Sequence, residues 1–293
     1  MEIIRAIVLG IVQGATEFFP VSSSGHLVII PFIFKWDYVP VYYAVALHFA
    51  TLLAVVAFFY RDIGKIIKYF FLGIFKKQFR KNNYFKLSIL IIIATVPAVF
   101  TGFFLEKYMD VFFSKPLYVA IFLLVTSVLL ITGEINGIKL ERASKDNNFK
   151  TGDMQGQKKK DTTRTIGFLN AIIIGIGQAV AIFPGISRSG ATISSARFFG
   201  INREECVRFS FLLSIPVISG AFIFEIADSY KLIKSLEKVS FLYLIISFIF
   251  AFVSGFFAIK FMERIVKNRN LNFFAIYCIL ISITVFVLLS IMQ

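Results

Sequence analysis

Gln13-Gly14-Ala15-Thr16-Glu17-Phe18-Phe19-Pro20-Val21-Ser22-Ser23-Ser24-Gly25-His26 interrupts the apolar run 3–34 with glycines, hydroxyls, a carboxylate and an imidazole. A second apolar run, 166–199, is interrupted in the same manner by Gln178 and by Pro184-Gly185-Ile186-Ser187-Arg188-Ser189-Gly190. The apolar arms beside these interruptions are about ten residues long, half of the ~20 that a helix needs to cross ~30 Å of hydrocarbon. Each stretch is therefore predicted to be a re-entrant helix hairpin that dips into a membrane and returns. Polar backbone at that depth must be buried in protein or line a wet cavity.

The two stretches echo each other. Gly10-Ile11-Val12-Gln13 matches Gly175-Ile176-Gly177-Gln178. Each Gln stands twelve positions before a glycine, Gly25 or Gly190, with Phe19-Pro20 or Phe183-Pro184 between. The same offset of 165 carries the apolar run that starts at 41 onto the one that starts at 206. Each half then holds one hairpin and three crossings, an odd number, so the second half enters from the opposite side. The predicted fold class is an all-α integral membrane protein with six transmembrane helices, two re-entrant hairpins and an inverted-topology repeat. Within a single membrane domain, 1–293, the repeats are 1–133 and 166–293, joined by a linker, 134–165. A site is expected where they meet.

Composition points the same way. Of 293 residues, 58% are hydrophobic and 16% charged, against ~45–50% and ~25% in soluble domains. That excludes an ordinary cytosolic enzyme and a disordered chain. The net charge of +14 does not signal nucleic-acid binding, because the bases lie between apolar runs. Six of those runs are long enough to span: 41–59, 87–105, 117–133, 206–227, 239–260 and 271–292. Lys and Arg gather in the loop 61–86, in the linker with Lys158-Lys159-Lys160, and around Lys260, Arg264, Lys267 and Arg269. The positive-inside rule makes that side cytoplasmic and places both termini outside a multi-pass plasma membrane protein. The linker reads as a mobile connection, and Arg197, Arg203 and Arg208 are expected to snorkel near a cytoplasmic edge of the membrane. Cys206 and Cys278 read as small packing residues.

Ionisable groups inside apolar segments are rare and costly, and so mark candidate sites. Glu17, Ser22, Ser23, Ser24 and His26 fall within ten residues of one another. A hydroxyl nucleophile needs a base within hydrogen-bond reach, and either Glu17 or His26 offers one. Gly185, Ser187, Arg188, Ser189 and Thr192 compose an anion cradle: glycine for close backbone approach, hydroxyls and helix N–H groups, and a bidentate guanidinium. Gln13 and Gln178 mark the first break of each hairpin, either orienting a ligand or satisfying broken backbone. His48 is expected to bond a neighbouring carbonyl. No phosphate-binding Gly-x-x-x-x-Gly-Lys-[Ser/Thr] loop and no His-Glu-x-x-His pair occurs.

The first motif, Gln13 to His26, resembles the Glu/Gln-x-x-x-Glu segment of the undecaprenyl-diphosphate phosphatases, the bacitracin-resistance BacA family. Pro184 to Thr192 resembles that family's Pro-Gly-x-Ser-Arg-Ser-x-x-Thr signature. The resemblance extends over nearly the whole chain. It implies a membrane enzyme that hydrolyses undecaprenyl diphosphate to undecaprenyl phosphate and phosphate, recycling the cell-wall lipid carrier and conferring bacitracin resistance. It also implies dependence on a divalent cation, Mg²⁺ or Ca²⁺, and a site reached from the outer side. The first motif position is often Glu in the family. Here it is Gln13, which leaves Glu17 as the cluster's one carboxylate and the expected metal ligand, with water and diphosphate completing the shell.

The expected partners are a polyprenyl diphosphate substrate, membrane lipids and, in an assembly, a second copy as a homodimer. Arg188, with Ser187 and Thr192, is expected to clamp the diphosphate while Ser23 or a water attacks the terminal phosphorus. The competing reading is a transporter or flippase of a phosphorylated prenoid lipid, since inverted repeats and broken helices are transporter devices. A Glu-Ser-His cluster discriminates, because transport does not require it.

Overall fold

The structure, a computed structural model, describes residues 2–105, 109–150, 165–234 and 238–292. Its helices are α1 (Glu2–Phe18), α2 (Ser23–Phe34), α3 (Val41–Phe58), α4 (Tyr60–Phe75), α5 (Asn83–Leu105), α6 (Met109–Phe113), α7 (Pro116–Lys150), α8 (Phe168–Val180), α9 (Arg188–Phe198), α10 (Arg203–Lys234), α11 (Lys238–Asn268) and α12 (Asn272–Met292). Six of these, α3, α5, α7, α10, α11 and α12, are long and apolar enough to cross a membrane, and they fall on the six runs read from sequence. Only 17% to 39% of each such span is buried. Phe100, Phe103, Ile223 and Phe257 point outward with many other large apolar side chains, a surface suited to lipid and not to water. The chain is a multi-pass integral membrane protein.

The helix breaks are shorter than the sequence pattern suggests. Gln13 to Glu17 stay helical as the last turns of α1, and Gln178 lies in the last turn of α8. The chain leaves helix at 19–22 and 181–187. The glycines explain why α1 tolerates such a stretch. A Cβ on Gly10 would fall 2.4 Å from the Ser247 carbonyl oxygen, and one on Gly14 would fall 2.4 Å from that of Ala251, both in α11. Gly175 of α8 sits in the same manner 2.7 Å from the Ala94 carbonyl oxygen of α5. Small residues let helix backbones approach closely where packing, not the hydrophobic effect, must hold them. Ser247 adds a bond, its hydroxyl donating to the Ala6 carbonyl at 2.8 Å.

α7 is the central post. Ser282 of α12 donates to its Ala120 carbonyl at 2.7 Å, and its Gly133 and Gly137 make room for Ser194 and Arg197 of α9. Here two expectations are corrected. Arg197 does not snorkel: it is fully buried, 3.6 Å from Glu134 and 2.5 Å from Glu141, while Arg203 also bonds Glu134. The linker expected over 134–165 begins as helix, because α7 continues to Lys150 and these acids pair with bases of α9 and α10. The remainder of the linker, 151–164 with Lys158-Lys159-Lys160, lies outside the described residues. Cys206 and Cys278 are buried free thiols, as read.

The glycine seam carries a stability prediction. Gly14→Val drives new methyl groups into the α11 backbone and lowers stability by about 3 kcal/mol, the upper end of overpacking costs. Thermal unfolding of the detergent-purified protein reads this as a lowered midpoint, whereas Gly64→Ala, in open space on α4, does not lower the midpoint and raises it slightly through the better helix propensity of alanine.

Candidate active site

Two serines build the frame. Ser22 stops α1 from continuing into α2 by taking a φ of 70°, and its hydroxyl caps α2 by accepting from the Gly25 N–H at 3.2 Å. Ser187 caps α9 identically, accepting from the Gly190 N–H at 3.0 Å. The two turns are laced together. The Gly185 N–H donates to Ser22 Oγ at 3.1 Å, and the Ser189 hydroxyl donates to the Phe19 carbonyl at 3.1 Å. Thr126 of α7 ties down the second turn, accepting from the Ser187 N–H at 2.9 Å and donating to the Gly185 carbonyl at 2.8 Å. Gly185 has φ +104°, and a Cβ there would strike the Val119 carbonyl at 2.6 Å, so no other residue fits. The result brings the N-terminal ends of α2 and α9 together. Each carries first-turn N–H groups without intrahelical acceptors and the positive end of a helix dipole.

Glu17 stands at this junction, almost fully buried, and both of its oxygens are engaged. Arg188 Nη2 donates to Oε1 at 2.6 Å. The Ser23 hydroxyl donates to Oε2 at 2.6 Å, and the Gln13 amide donates to the same oxygen at 2.9 Å. His48 Nε2 lies 3.4 Å from it. Arg188 is fixed from behind by the Ser210 carbonyl, which accepts from Nη1 at 3.2 Å. Hydroxyl, carboxylate and guanidinium thus form one continuous chain. Its members come from α1, α2 and α9, and Glu17 and Arg188 are 171 positions apart in sequence.

Comparison with known proteins identifies the family. Residues 6–284 match the family model described as bacitracin resistance protein BacA. The chain belongs to the BacA family. Among the relatives of this BacA chain, the undecaprenyl-diphosphatase of Korarchaeum cryptofilum is 38% identical over 99% of this chain and 100% of that protein. Undecaprenyl-diphosphatase 2 of Halalkalibacterium halodurans is 38% identical over 98% and 96%. The undecaprenyl-diphosphatase of Halothermothrix orenii is 38% identical over 99% and 100%.

Not every signature residue of this BacA chain reaches the charged centre. The ring of His26 turns elsewhere: Nδ1 donates to the Ser22 carbonyl at 2.7 Å, and Nε2 meets the Tyr277 hydroxyl at 2.8 Å. Gln178 donates to the Ala94 carbonyl at 3.3 Å and so holds α8 to α5. Ser24 reaches Ser22 Oγ at 3.3 Å and is the more exposed of the three serines. Thr192 donates to the Arg188 carbonyl at 2.9 Å and lies 2.7 Å from Ser210 Oγ, locking α9 to α10. The backbone approach expected at Gly185 serves α7, and its N–H is already committed to Ser22. His48, read from sequence as a carbonyl-bonded residue, does bond the Ala44 carbonyl through Nδ1 at 2.7 Å, yet its other nitrogen reaches Glu17. Thr126 and Ser210 carried no local signal. For His48 the signal was present, since it is an ionisable side chain inside an apolar span.

The double role of Ser22 yields a test. Ser22→Ala strips the acceptor from two buried N–H groups, Gly25 and Gly185, and lowers stability by about 1–3 kcal/mol. Ser24→Ala, at the partly exposed neighbour, shifts the unfolding midpoint far less in the same thermal scan.

Proposed function

We propose that this protein is an undecaprenyl-diphosphate phosphatase in which Ser23 attacks the terminal phosphorus, Glu17 takes the serine proton and Arg188 holds the diphosphate. The observation that carries this reading is the 2.6 Å bond from the Ser23 hydroxyl to a carboxylate whose other oxygen is paired with Arg188. An incoming phosphate competes for Arg188. As the guanidinium moves to the phosphate oxygens it releases Glu17 Oε1, and the carboxylate gains capacity to accept a proton. The Ser23 Oγ–P bond then forms as the bridging P–O bond breaks. Undecaprenyl phosphate leaves with the bridging oxygen. Arg188 and the N-terminal ends of α2 and α9 stabilise the charge that develops on the transferred phosphoryl group. Water hydrolyses the phosphoserine, which frees phosphate and restores the hydroxyl.

His48 joins as a neighbour of the carboxylate. Its Nδ1 proton is committed to Ala44, so the contact of Nε2 with Glu17 is attractive when Nε2 also carries a proton. His26 and Tyr277 buttress the Ser22 turn. Gln13 Oε1 is buried and has no hydrogen-bond partner among the described residues. That oxygen with the Glu17 carboxylate suits Mg²⁺ or Ca²⁺, which at such sites keeps water and substrate oxygens as its remaining ligands. Bound there, the cation would neutralise diphosphate charge.

In this reading the pairs α1–α2 and α8–α9 are re-entrant hairpins of an inverted-topology repeat. Equivalent positions support it: Ser22 and Ser187 as caps, Gly25 and Gly190 as their donors, Gly10 and Gly175 as close contacts on α11 and α5. The basic side is cytoplasmic and both termini face outward.

Phosphate release from undecaprenyl diphosphate by the purified protein, run across a Mg²⁺ and Ca²⁺ series, tests the assignment. Ser23→Ala, Glu17→Gln and Arg188→Lys each fall to background, a loss of at least about 10³-fold. His48→Gln retains more activity than His48→Leu. Acid quench of a single turnover leaves phosphate on Ser23 by mass spectrometry. Full activity of Ser23→Ala moves the attack to water, and no release by the unmodified protein sinks the enzyme reading.

A further inference from the structure

We propose that α4 and the basic turn after it are an in-plane anchor that binds the anionic headgroups of the bilayer surface. The span α3 ends at Phe58 and the span α5 begins at Asn83, so the stretch between them lies at one face of the membrane. The direction of α4 follows from its contacts with the first turn of α5. Tyr84 reaches Asp62 at 3.5 Å, lies under the Lys65 ammonium at 5.4 Å and stacks on Tyr69 at 6.0 Å, while Phe85 fills the space beside Gly73. Positions 62 to 73 extend over roughly 16 Å of helix. A single turn of α5 meets all of that length, so α4 crosses the span and runs along the surface.

The side chains of α4 sort around its axis. At ~100° per residue, Tyr60, Ile67, Phe71 and Ile74 form one stripe, and these four are 58%, 53%, 54% and 46% exposed. Arg61, Lys65 and Lys68 occupy the adjoining arc and are exposed as well. Lys76, Lys77 and Lys81 continue the basic surface, whereas Arg80 turns back to the Gly73 carbonyl at 3.0 Å. From 60 to 82 the chain carries seven bases and one carboxylate, Asp62, and Arg208 of α10 already pairs with that at 3.0 Å. An apolar stripe beside a basic arc is the form of a helix that sinks one face to the acyl boundary and offers the other to headgroups. Charge complementarity therefore selects anionic lipid, with each lysine adding attraction near a negative surface. A determinant of orientation would need only the bases; the exposed Ile67-Phe71-Ile74 stripe calls for a bilayer beneath it.

Native mass spectrometry of the full-length protein with added phosphatidylglycerol or phosphatidylcholine tests the charge. The unmodified protein should retain phosphatidylglycerol preferentially, and the combined variant Lys65→Gln, Lys68→Gln, Lys76→Gln, Lys77→Gln should lose that preference by at least about tenfold. Equal retention by the two proteins overturns the proposal. A second measurement keeps all charges but one in place and so stands if the combined variant fails to fold. Nitroxides placed through Phe71→Cys and Lys68→Cys in phosphatidylglycerol vesicles should report oxygen access at 71 and access by a water-soluble nickel reagent at 68. Water access at both positions overturns it.

Discussion

The bond between Arg188 and Glu17 sets the terms for everything around it. Both residues are enclosed by apolar helices, with side chains 14% and 4% exposed, so neither could stand there charged without the other. Removing one partner of such a pair typically costs ~3–5 kcal/mol, because the other is left buried and uncompensated. The fold therefore has to deliver to a single point two turns whose charged residues are 171 positions apart in sequence. It does so with small-residue seams that set α1 on α11 and α8 on α5, and with α7 as a post against which both turns lean. A pair held this firmly and yet open to a competing anion is an ionic latch. Under the function proposed above, it satisfies the carboxylate when no phosphate is bound and would hand over the guanidinium when one arrives.

The hydroxyl-rich motifs divide into builders and actors, and the division follows hydrogen-bond supply. Each turn breaks a helix and strands buried N–H groups that water cannot reach, which only nearby oxygens can satisfy. Ser22 and Ser187 serve their own helices, then Ser22 also serves Gly185 and Ser189 serves Phe19, so each hairpin completes the other. Thr192 and Ser210 close the back of α9. What remains aimed at Glu17 is Ser23, with Gln13, Arg188 and His48 around the same carboxylate. Five hydroxyls or glycines that a motif reading would assign to substrate are thus needed first to make two adjacent turns stable in an apolar setting: Ser22, Gly185, Ser187, Ser189 and Thr192.

How much of this was legible in the sequence depends on the range of the interaction. The six spans were legible because hydropathy is a local sum, and the encounter of Glu17 with Arg188 followed from the rarity of charge in such segments. The extent of the helix breaks was not. Gln13, Gly14 and Glu17 look like breakers, but Gly14 is compensated by α11, an element more than two hundred residues away. His48 was set aside because a lone histidine in a helix commonly bonds the carbonyl four residues back. It does so here, and only the packing of α3 against α1 shows that its second nitrogen meets Glu17. Arg197 was misread for a related reason, since it looked like an interfacial charge until Glu134 of α7 covered it.

That second ion cluster bears on the first. α9 is eleven residues long, about 16 Å at 1.5 Å per residue. Its first residue, Arg188, is tied to Glu17 of α1, and its tenth, Arg197, is tied to Glu134 and Glu141 of α7. Gly137 lets the Arg197 side chain lie against α7, since a Cβ there would fall 2.5 Å from Nε. A helix fixed at both ends by buried ion pairs cannot slide along its axis without breaking one of them, so α9 acts as a strut of set length. The position of the guanidinium at the site is then determined as much by Arg197 at the far end as by Glu17 in contact with it. In the proposed exchange of the carboxylate for a phosphate at Arg188, the far pair would keep the helix still and confine the motion to the side chain.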